Sequence, residues 1–273
     1  MNLSTKQTIT WCPGCPNFMI LESVKQAIAG LMDKGARQED FAMVTDIGCH
    51  AKIYDYINIS GIYGLHGRAL TTAFGITLGN PNLNVLAFMG DGANYSEGMA
   101  HFIHAGRFNS NMTLIVHDNQ SFSLTTGQNT PTSQQGYKSK AYPLGEFNRP
   151  MNPIKLALAA NMSFIARCNA KDLKHTAEVL EKAIKHKGFS YVEIIQDCLI
   201  FNKDSNNKDS MMYKVEDNSD KKKAEKLAEE WDYNGKKGKI ALGVLYSHER
   251  DTLQDEWPQL KELKDKKVGW KNK

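Results

Sequence analysis

Short apolar runs alternate with helix-like segments along most of this chain, and that alternation narrows the choice of fold more than any other feature. Because neighbouring parallel strands need a crossover, usually a helix, the order predicts an α/β fold with a doubly wound, mostly parallel sheet. The apolar runs lie at 41–45, 85–89, 113–116, 164–166, 191–195 and 240–246, and the helix-like segments lie near 69–78, 97–108, 153–160, 171–187 and 221–231.

The two ends of the chain depart from this pattern. Near the start, a cysteine-containing loop leads into a stretch where apolar residues recur at helical spacing from Phe18 to Leu31, which predicts a helix. Residues 201–223 are rich in Asn, Asp, Ser and Lys, which is typical of a long loop. We expect the charged sequence after Ser247 to lie over a neighbouring surface, so that residues 201–273 form an extended C-terminal arm.

The composition excludes several classes of protein. With 41% hydrophobic and 23% charged residues, it is that of an ordinary globular protein, and no apolar run reaches the roughly 20 residues of a bilayer span. The first residues lack the apolar core and cleavage site of a signal peptide, so we expect a cytoplasmic protein. The net charge of +4 is small, and no basic stripe interleaved with aromatic residues favours nucleic acid. We therefore expect neither a membrane nor a nucleic-acid partner.

Polar residues follow two successive predicted strands. Gly90-Asp91-Gly92 comes directly after the run 85–89, and Asn119 follows the run 113–116. Ligands of open α/β sheets bind at the carboxyl ends of the strands, where glycines and a helix start let a phosphate reach backbone N–H groups. Asp91 and Asn119 would there hold a hard cation such as Mg²⁺. Each alone would be an ordinary turn residue, but together they favour a metal–phosphate site.

The chain has five cysteines, an odd number that argues against complete disulfide pairing. Two of them form Cys12-Pro13-Gly14-Cys15, and the others are Cys49, Cys168 and Cys198. Four thiolates suit either tetrahedral zinc or a [4Fe–4S] cluster, and an isolated Cys-x-x-Cys is more often a zinc motif. The residues alone leave both alternatives open.

The segment from Gly90 to Asn119 resembles the thiamine diphosphate motif, which opens with Gly-Asp-Gly and closes with an Asn. More of the chain is similar to the β subunits of 2-oxoacid:ferredoxin oxidoreductases, from Trp11 to about residue 249. The sequence that carries this resemblance is His101-Phe102-Ile103-His104-Ala105, Arg107, Asn109, Asn119-Gln120, Leu124-Thr125-Thr126-Gly127-Gln128 and Pro131-Thr132-Ser133.

The resemblance implies a set of cofactor contacts. Magnesium would be held by Asp91, Asn119 and the backbone carbonyl of Ser121, and the diphosphate would meet Gly92 and Ala93. The remaining cofactor-binding positions that it implies are Ile47, Gly48, Cys49, His50, His66, Gly90, Ser123 and Leu124.

The resemblance also implies a catalytic role for two residues, one of them outside this set. His66 lies in Leu65-His66-Gly67-Arg68-Ala69-Leu70 and would donate a hydrogen bond to the diphosphate from a helix start. Lys52 matches a position near the carboxylate of the 2-oxoacid. The residues alone equally allow a structural role for His66 and an exposed surface position for Lys52.

The resemblance also assigns the cysteines. Cys12, Cys15, Cys49 and Cys198 would hold one [4Fe–4S] cluster, while Cys168 has no counterpart and is interpreted as a small buried apolar residue. Two alternatives stay open. One is a zinc-stapled, non-oxidative thiamine-dependent decarboxylase component, and the other is a non-enzymatic phosphate- or nucleotide-binding α/β module.

The implied activity is the coenzyme A-dependent oxidative decarboxylation of a 2-oxoacid, pyruvate or 2-oxoglutarate, with electrons passing through the cluster to ferredoxin. Residues 1–200 would form the pyrophosphate-binding domain of the thiamine enzymes, and residues 201–273 would pack on a partner. That partner, an α subunit, would supply the pyrimidine-binding domain and the catalytic glutamate, in a heterodimer or an (αβ)₂ heterotetramer.

The sequence departs from the family pattern at several positions, which leaves the choice of 2-oxoacid open. Ala93 stands where many relatives have a second Asp, and Pro16 follows Cys15 in place of Gly. Thr126 stands where some members carry Lys or Met. Ser121-Phe122-Ser123 replaces the more usual run of an apolar residue, Tyr and Gly.

Overall fold

The computed structural model describes residues 3–267, and its centre is one sheet of eight strands. The strand order is β2-β1-β3-β4-β6-β5-β8-β7, and each neighbouring pair is parallel except β5 with β8. The predicted doubly wound, mostly parallel α/β fold is therefore confirmed. The strands are β1 Phe41–Thr45, β2 Ser60–Tyr63, β3 Asn84–Gly90, β4 Met112–Asp118, β5 Phe164–Asn169, β6 Phe189–Ile195, β7 Met212–Lys214 and β8 Ile240–Ser247.

Helices cover both faces of the sheet. On one face α1 packs against α6, and on the other α2 packs against α4 and α5 against α7. In the described part of the chain, none of the helices has the length and apolar character needed to cross a bilayer. The α-helices are α1 Asn17–Met32, α2 Ala69–Gly79, α3 Asp91–Tyr95, α4 Met99–Phe108, α5 Pro153–Ala159, α6 Leu173–Lys185, α7 Lys221–Glu229, α8 Leu253–Glu256 and α9 Pro258–Asp265.

The central strands are apolar throughout because both of their faces are covered. In β1, Ala42 and Val44 belong to the core beneath α2, whereas Phe41 and Met43 belong to the core beneath α1. Successive side chains of a strand point to opposite faces, so a strand buried on both sides needs apolar residues at every position. The strand β2 lacks this signal because it lies at the edge of the sheet and is largely exposed. The sequence therefore did not reveal it.

The sheet does not divide at residue 200. Strand β8 pairs antiparallel with β5, and β7 pairs with β8, so the segment predicted as a separate arm completes the sheet. Hydrogen bonds from asparagine side chains hold the backbone of this segment in place. The side-chain amide of Asn218 donates to the carbonyl of Leu245 at 2.8 Å. The side chain of Asn109 likewise donates to the carbonyls of Arg250 and Asp251 at 3.2 and 3.1 Å. Packing of this segment on a partner subunit remains a prediction.

A buried ion pair attaches the C-terminal segment to the sheet. Arg167 of β5 and Glu193 of β6 are neighbours in register, and the Nε atom of Arg167 donates to the carboxylate of Glu193 at 2.7 Å. Tyr233, which precedes β8, donates its hydroxyl to the same carboxylate at 2.7 Å and accepts from Arg167 at 2.6 Å. All three side chains are fully buried. Since water cannot reach these polar groups, the hydrogen bonds among the three side chains must offset the cost of burying them.

We expect Arg167→Met to lower the free energy of unfolding by about 3–5 kcal/mol, because Glu193 would keep a buried charge without its cation. Lys155→Met is the matched control. Its exposed pair with Glu229 joins atoms 3.3 Å apart, and such pairs contribute about 1 kcal/mol or less. Urea denaturation of both variants measures the difference. Equal losses of stability would contradict the role given to the buried pair.

Candidate active site

A cleft opens at the carboxyl ends of β1, β3 and β4. The chain leaves β1 for β2 on one side and continues with β3 on the other, so the cleft lies at the point where the strand order reverses. Such a point is where open α/β sheets bind ligands. Its empty volume is about 470 Å³. All the predicted cofactor-binding residues line it, namely Ile47, Gly48, Cys49, His50, His66, Gly90, Asp91, Gly92, Ala93, Asn119, Ser121, Ser123 and Leu124.

Asp91 begins α3 directly after β3 and is buried at the base of this cleft. Its carboxylate accepts a hydrogen bond from the hydroxyl of Thr132 at 2.9 Å and others from the backbone N–H groups of Gly92 and Asn119. Burial raises the pKa of Asp91 to about 6, although these hydrogen bonds oppose the shift. Burial together with the nearby charge of Asp91 raises the pKa of Asp118 well above its usual range. The two carboxylates therefore disfavour each other's ionised form.

The loop after β4 turns back so that its oxygen atoms face the cleft. The Oδ1 atom of Asn119 accepts from the backbone N–H of Ser121 at 3.0 Å and lies 3.3 Å from the hydroxyl oxygen of Ser123. Gln120 adopts a left-handed conformation with φ of 57°, and its side chain donates to the carbonyl of Tyr233 at 3.0 Å. The loop is thereby held by the C-terminal segment. Carboxylate, amide and carbonyl oxygens at Asp91, Asn119 and Ser121 form a donor set that suits a divalent cation.

The second glycine of the Gly90-Asp91-Gly92 motif is required because an aromatic ring lies close to it. A Cβ atom at Gly92 would lie 2.2 Å from the ring of Phe122, far closer than contact distance. The same ring lies 5.7 Å from the ring of His66, measured between centroids. His66 faces Glu97 on its other side, with its Nδ1 atom 3.3 Å from the carboxylate. His66 and Phe122 thus form the upper wall of the cleft.

A second cavity adjoins the cleft and contains the cysteines. Its empty volume is about 650 Å³, and Cys12, Cys15, Cys49 and Cys198 all line it, whereas Cys168 is buried elsewhere in the core. Within residues 3–267, no three His, Cys, Asp or Glu side chains are grouped closely enough to hold a single metal ion. The cavity and the cleft share a wall made by Cys49, Asn119, Ser123, Leu124 and Gln196.

Burial favours the protonated form of two of these thiols. It raises the pKa of Cys49 to about 11, and the neighbouring Cys15, Cys198 and Cys12 add to the rise while Lys52 opposes it. The pKa of Cys15 is also raised, again mainly by burial. Since metals bind thiolates, a metal group in this cavity would displace protons from the cysteines and supply the missing positive charge.

Lys52 lies apart from the other predicted catalytic residue. It lines the cysteine cavity rather than the cleft that contains His66, and its Nζ atom donates to the carbonyl of Thr10 at 3.1 Å. For some residues that line the cleft, no role was predicted from the sequence. His117, Thr125 and Gln196 line the cleft as well. The sequence signal for His117 was a polar residue directly after the run 113–116.

The fold and the cleft define a thiamine diphosphate-binding α/β domain. Residues 46–194 match the family model described as "Thiamine pyrophosphate enzyme, C-terminal TPP binding domain". The matched segment begins after β1 and ends within β6, so it contains the glycine turn, the loop after β4 and most of the strands that position them.

The solved and curated relatives narrow this class. A 2-oxoacid:ferredoxin oxidoreductase subunit beta of Saccharolobus solfataricus is 40% identical, covering 88% of this chain and 82% of its own. The 2-oxoglutarate oxidoreductase subunit KorB of Mycobacterium tuberculosis is 38% identical over 74% of this chain and 53% of its own. Among solved structures, the chain is similar to the 2-oxoglutarate:ferredoxin oxidoreductase from Magnetococcus marinus with 2-oxoglutarate, coenzyme A and succinyl-CoA bound. The TM-score is 0.87 and the sequence identity 32%, and the match covers 98% of this chain and 90% of that one. The chain belongs to the family of 2-oxoacid:ferredoxin oxidoreductase β subunits.

The raised pKa of Asp91 predicts a pH dependence of cation binding in the cleft. A cation binds the carboxylate, so it must displace the proton that Asp91 holds below about pH 6, and its affinity should fall by up to about tenfold per pH unit in that range. Titration calorimetry with Mg²⁺ and thiamine diphosphate from about pH 5 to pH 8 measures this. The phosphate groups titrate as well, so the binding of Mg²⁺ to thiamine diphosphate without protein, over the same pH range, is the reference. A pH dependence of binding to the protein that merely repeats the titration of the free cofactor would contradict the assignment.

Proposed function

We propose that this chain binds the diphosphate end of thiamine diphosphate and a [4Fe–4S] cluster, and that with an α subunit it oxidises a 2-oxoacid for ferredoxin and coenzyme A. The observation that carries the proposal is the shared wall between the cleft and the cysteine cavity. An oxidation that begins in the cleft can pass electrons across one layer of residues to a cluster. The family supports pyruvate or 2-oxoglutarate as the substrate.

Thiamine diphosphate supplies the carbanion chemistry and the electron sink of such a reaction. The residues of this chain hold and orient it. Asp91, Asn119 and the carbonyl of Ser121 would bind the Mg²⁺ ion that neutralises the diphosphate, and the backbone at Gly92 and Ala93 would approach the phosphate oxygens. His66 would donate a hydrogen bond from the wall of the cleft. The other lining residues exclude water from the reacting carbon.

The cysteine cavity favours a cluster over zinc. A zinc ion binds sulfur at about 2.3 Å, so its four thiolates lie on a small tetrahedron with edges of roughly 3.8 Å. The four cysteines here line one cavity with a largely apolar wall, and within residues 3–267 no three His, Cys, Asp or Glu side chains are grouped closely enough to hold a single metal ion. Cys12, Cys15, Cys49 and Cys198 would be the ligands. The positive charge of Lys52 opposes the rise that burial causes in the pKa of Cys49, and to that extent it favours the thiolate that iron binds.

An α subunit would complete the site. Large apolar side chains are exposed near the cleft, and Leu65, which precedes His66, is 76% exposed. Exposed apolar groups beside a ligand site mark an interaction surface. The pyrimidine-binding domain and the catalytic glutamate would come from that subunit, in a heterodimer or an (αβ)₂ assembly in the cytoplasm. Lys52 would bind the substrate carboxylate only if the substrate reaches the side of the cleft next to the cysteine cavity.

We expect Asp91→Asn to abolish retention of thiamine diphosphate and Mg²⁺ while the fold persists, because the neutral amide cannot compensate the cation. The cofactor content after gel filtration and the circular dichroism spectrum provide the two readouts. Asp33→Asn, at an exposed position at the end of α1, is the control and should retain both ligands. Unchanged cofactor content in Asp91→Asn would refute the role of this residue.

The cysteine assignment predicts that Cys198→Ser removes or degrades the visible absorption of the cluster, because serine is a poor substitute for a thiolate ligand of iron. Cys168→Ser should leave the absorption intact, since Cys168 lies in the core outside the cavity. Absorption spectra and iron content of anaerobically prepared protein test both variants. Equal effects would show that the fourth ligand is misassigned.

A further inference from the structure

A buried donor without an acceptor lies in the wall of the cysteine cavity. Asn17, the first residue of α1, lines that cavity and is only 1% exposed. Its Nδ2 atom makes no hydrogen bond of normal geometry with any atom of residues 3–267. A buried amide donor that stays unpaired is costly, so its presence requires an explanation. A ligand of this cavity that accepts hydrogen bonds would provide one.

The orientation of the Asn17 amide is set by a side chain on the face of the sheet that α1 covers. Its Oδ1 atom lies 2.8 Å from the Nδ1 atom of His117, which is buried at the end of β4. An amide oxygen accepts only, so Nδ1 of His117 carries the proton and donates it to Asn17. This bond occupies the oxygen end of the amide and leaves the nitrogen end for the cavity. The amide nitrogen also lies close to the Cys15 sulfur, where it opposes the rise that burial causes in the pKa of that thiol.

This contact is more than a helix cap. The N-cap position of α1 is Pro16, and no side chain caps the helix there. Asn17 instead forms a bond to a residue 100 positions away in sequence. The His117 ring borders the cofactor cleft, and its centroid lies 5.7 Å from that of His50. Asn17 and His117 therefore connect the two cavities from behind their shared wall.

We propose that Asn17, held in place by His117, donates a hydrogen bond from Nδ2 to a sulfur atom of the iron–sulfur cluster and thereby raises the reduction potential of that cluster. The inference rests on the proposed function, because it requires a cluster in the cysteine cavity. A reduced cluster carries one more negative charge than an oxidised one, and a hydrogen bond to sulfur stabilises the more negative form. One electron enters the cluster and no proton is transferred. Asn17 is thus a positioning and tuning residue, not a catalytic one.

The variant Asn17→Asp tests this directly. It retains an oxygen to accept from His117 and nearly the same volume, but it replaces the N–H donor by an atom that cannot donate. Asn17→Leu removes the donor without adding charge. We expect about tenfold less reduced cluster at a fixed potential for Asn17→Leu, which is a downward shift of about 59 mV for one electron. The shift for Asn17→Asp should be larger, because its negative charge also repels the reduced cluster.

The measurement is a redox titration followed by electron paramagnetic resonance, made on the complex with its α subunit under anaerobic conditions. Iron and sulfide are quantified in the same samples, so that a change in potential is separated from loss of the cluster. Ser23→Ala is the matched control. Ser23 is buried on the same helix but bonds to the carbonyls of Met19 and Leu173, outside the cavity. Its potential should equal that of the unaltered protein.

Unchanged potentials in both Asn17 variants at full iron content would overturn the inference and leave the proposed function intact. If neither variant retains a cluster, the test is made on the unaltered protein, with ¹⁵N in its asparagine side chains, by measuring the magnetic coupling of that nitrogen to the cluster. Hyperfine coupling from an amide nitrogen to the reduced cluster supports the inference, and its absence refutes it. A complex that contains no iron at all contradicts the proposed function itself.

Discussion

The carboxylates of Asp91 and Asp118 are buried side by side at the carboxyl edge of the sheet. Neighbouring polar and charged groups offset the cost of burying them. The hydroxyl of Thr132 lies within hydrogen-bond distance of both Asp91 and Asp118, at 2.9 and 3.2 Å. Lys208 is also buried there; burial lowers its pKa to about 8, and the negative charge of Asp118 opposes that shift. Burying such charges without partners is expensive. The loop that contains Thr132 and the segment that contains Lys208 are therefore tied to this edge.

Hydrogen bonds between loops hold the two cavities against each other. The loop after β1 contains Cys49, which lines both the cleft and the cysteine cavity. The indole of Trp11 donates to the carbonyl of Cys49 at 2.6 Å, so the N-terminal cysteine loop is held against the loop that lines the cleft. On the other side, the hydroxyl of Ser123 donates to the sulfur of Cys198 at 3.1 Å. A cofactor and a cluster in these positions would be separated by a single layer of residues.

The sequence predicted those parts of the molecule that rest on local or periodic signals. Strand β1 was predicted at its observed bounds because each of its residues is buried on one face or the other. The convergence of Asp91 and Asn119 followed from the rule that parallel strands end at one edge. Strand β8 was visible as an apolar run, but its antiparallel pairing with β5 was not, because a run of apolar residues contains no information on direction. The bond between Asn17 and His117 joins distant positions and leaves no periodic trace.

We infer that one chain contains both the diphosphate end of a thiamine site and a redox cluster beside it. Anaerobic purification of this chain with its α subunit, followed by iron, sulfide, zinc, magnesium and thiamine analysis of one sample, tests this inference. We expect about four irons and four sulfides per chain, together with thiamine diphosphate and magnesium. Zinc and thiamine diphosphate without iron would contradict it, and would leave a non-oxidative thiamine enzyme whose cysteines hold a structural metal.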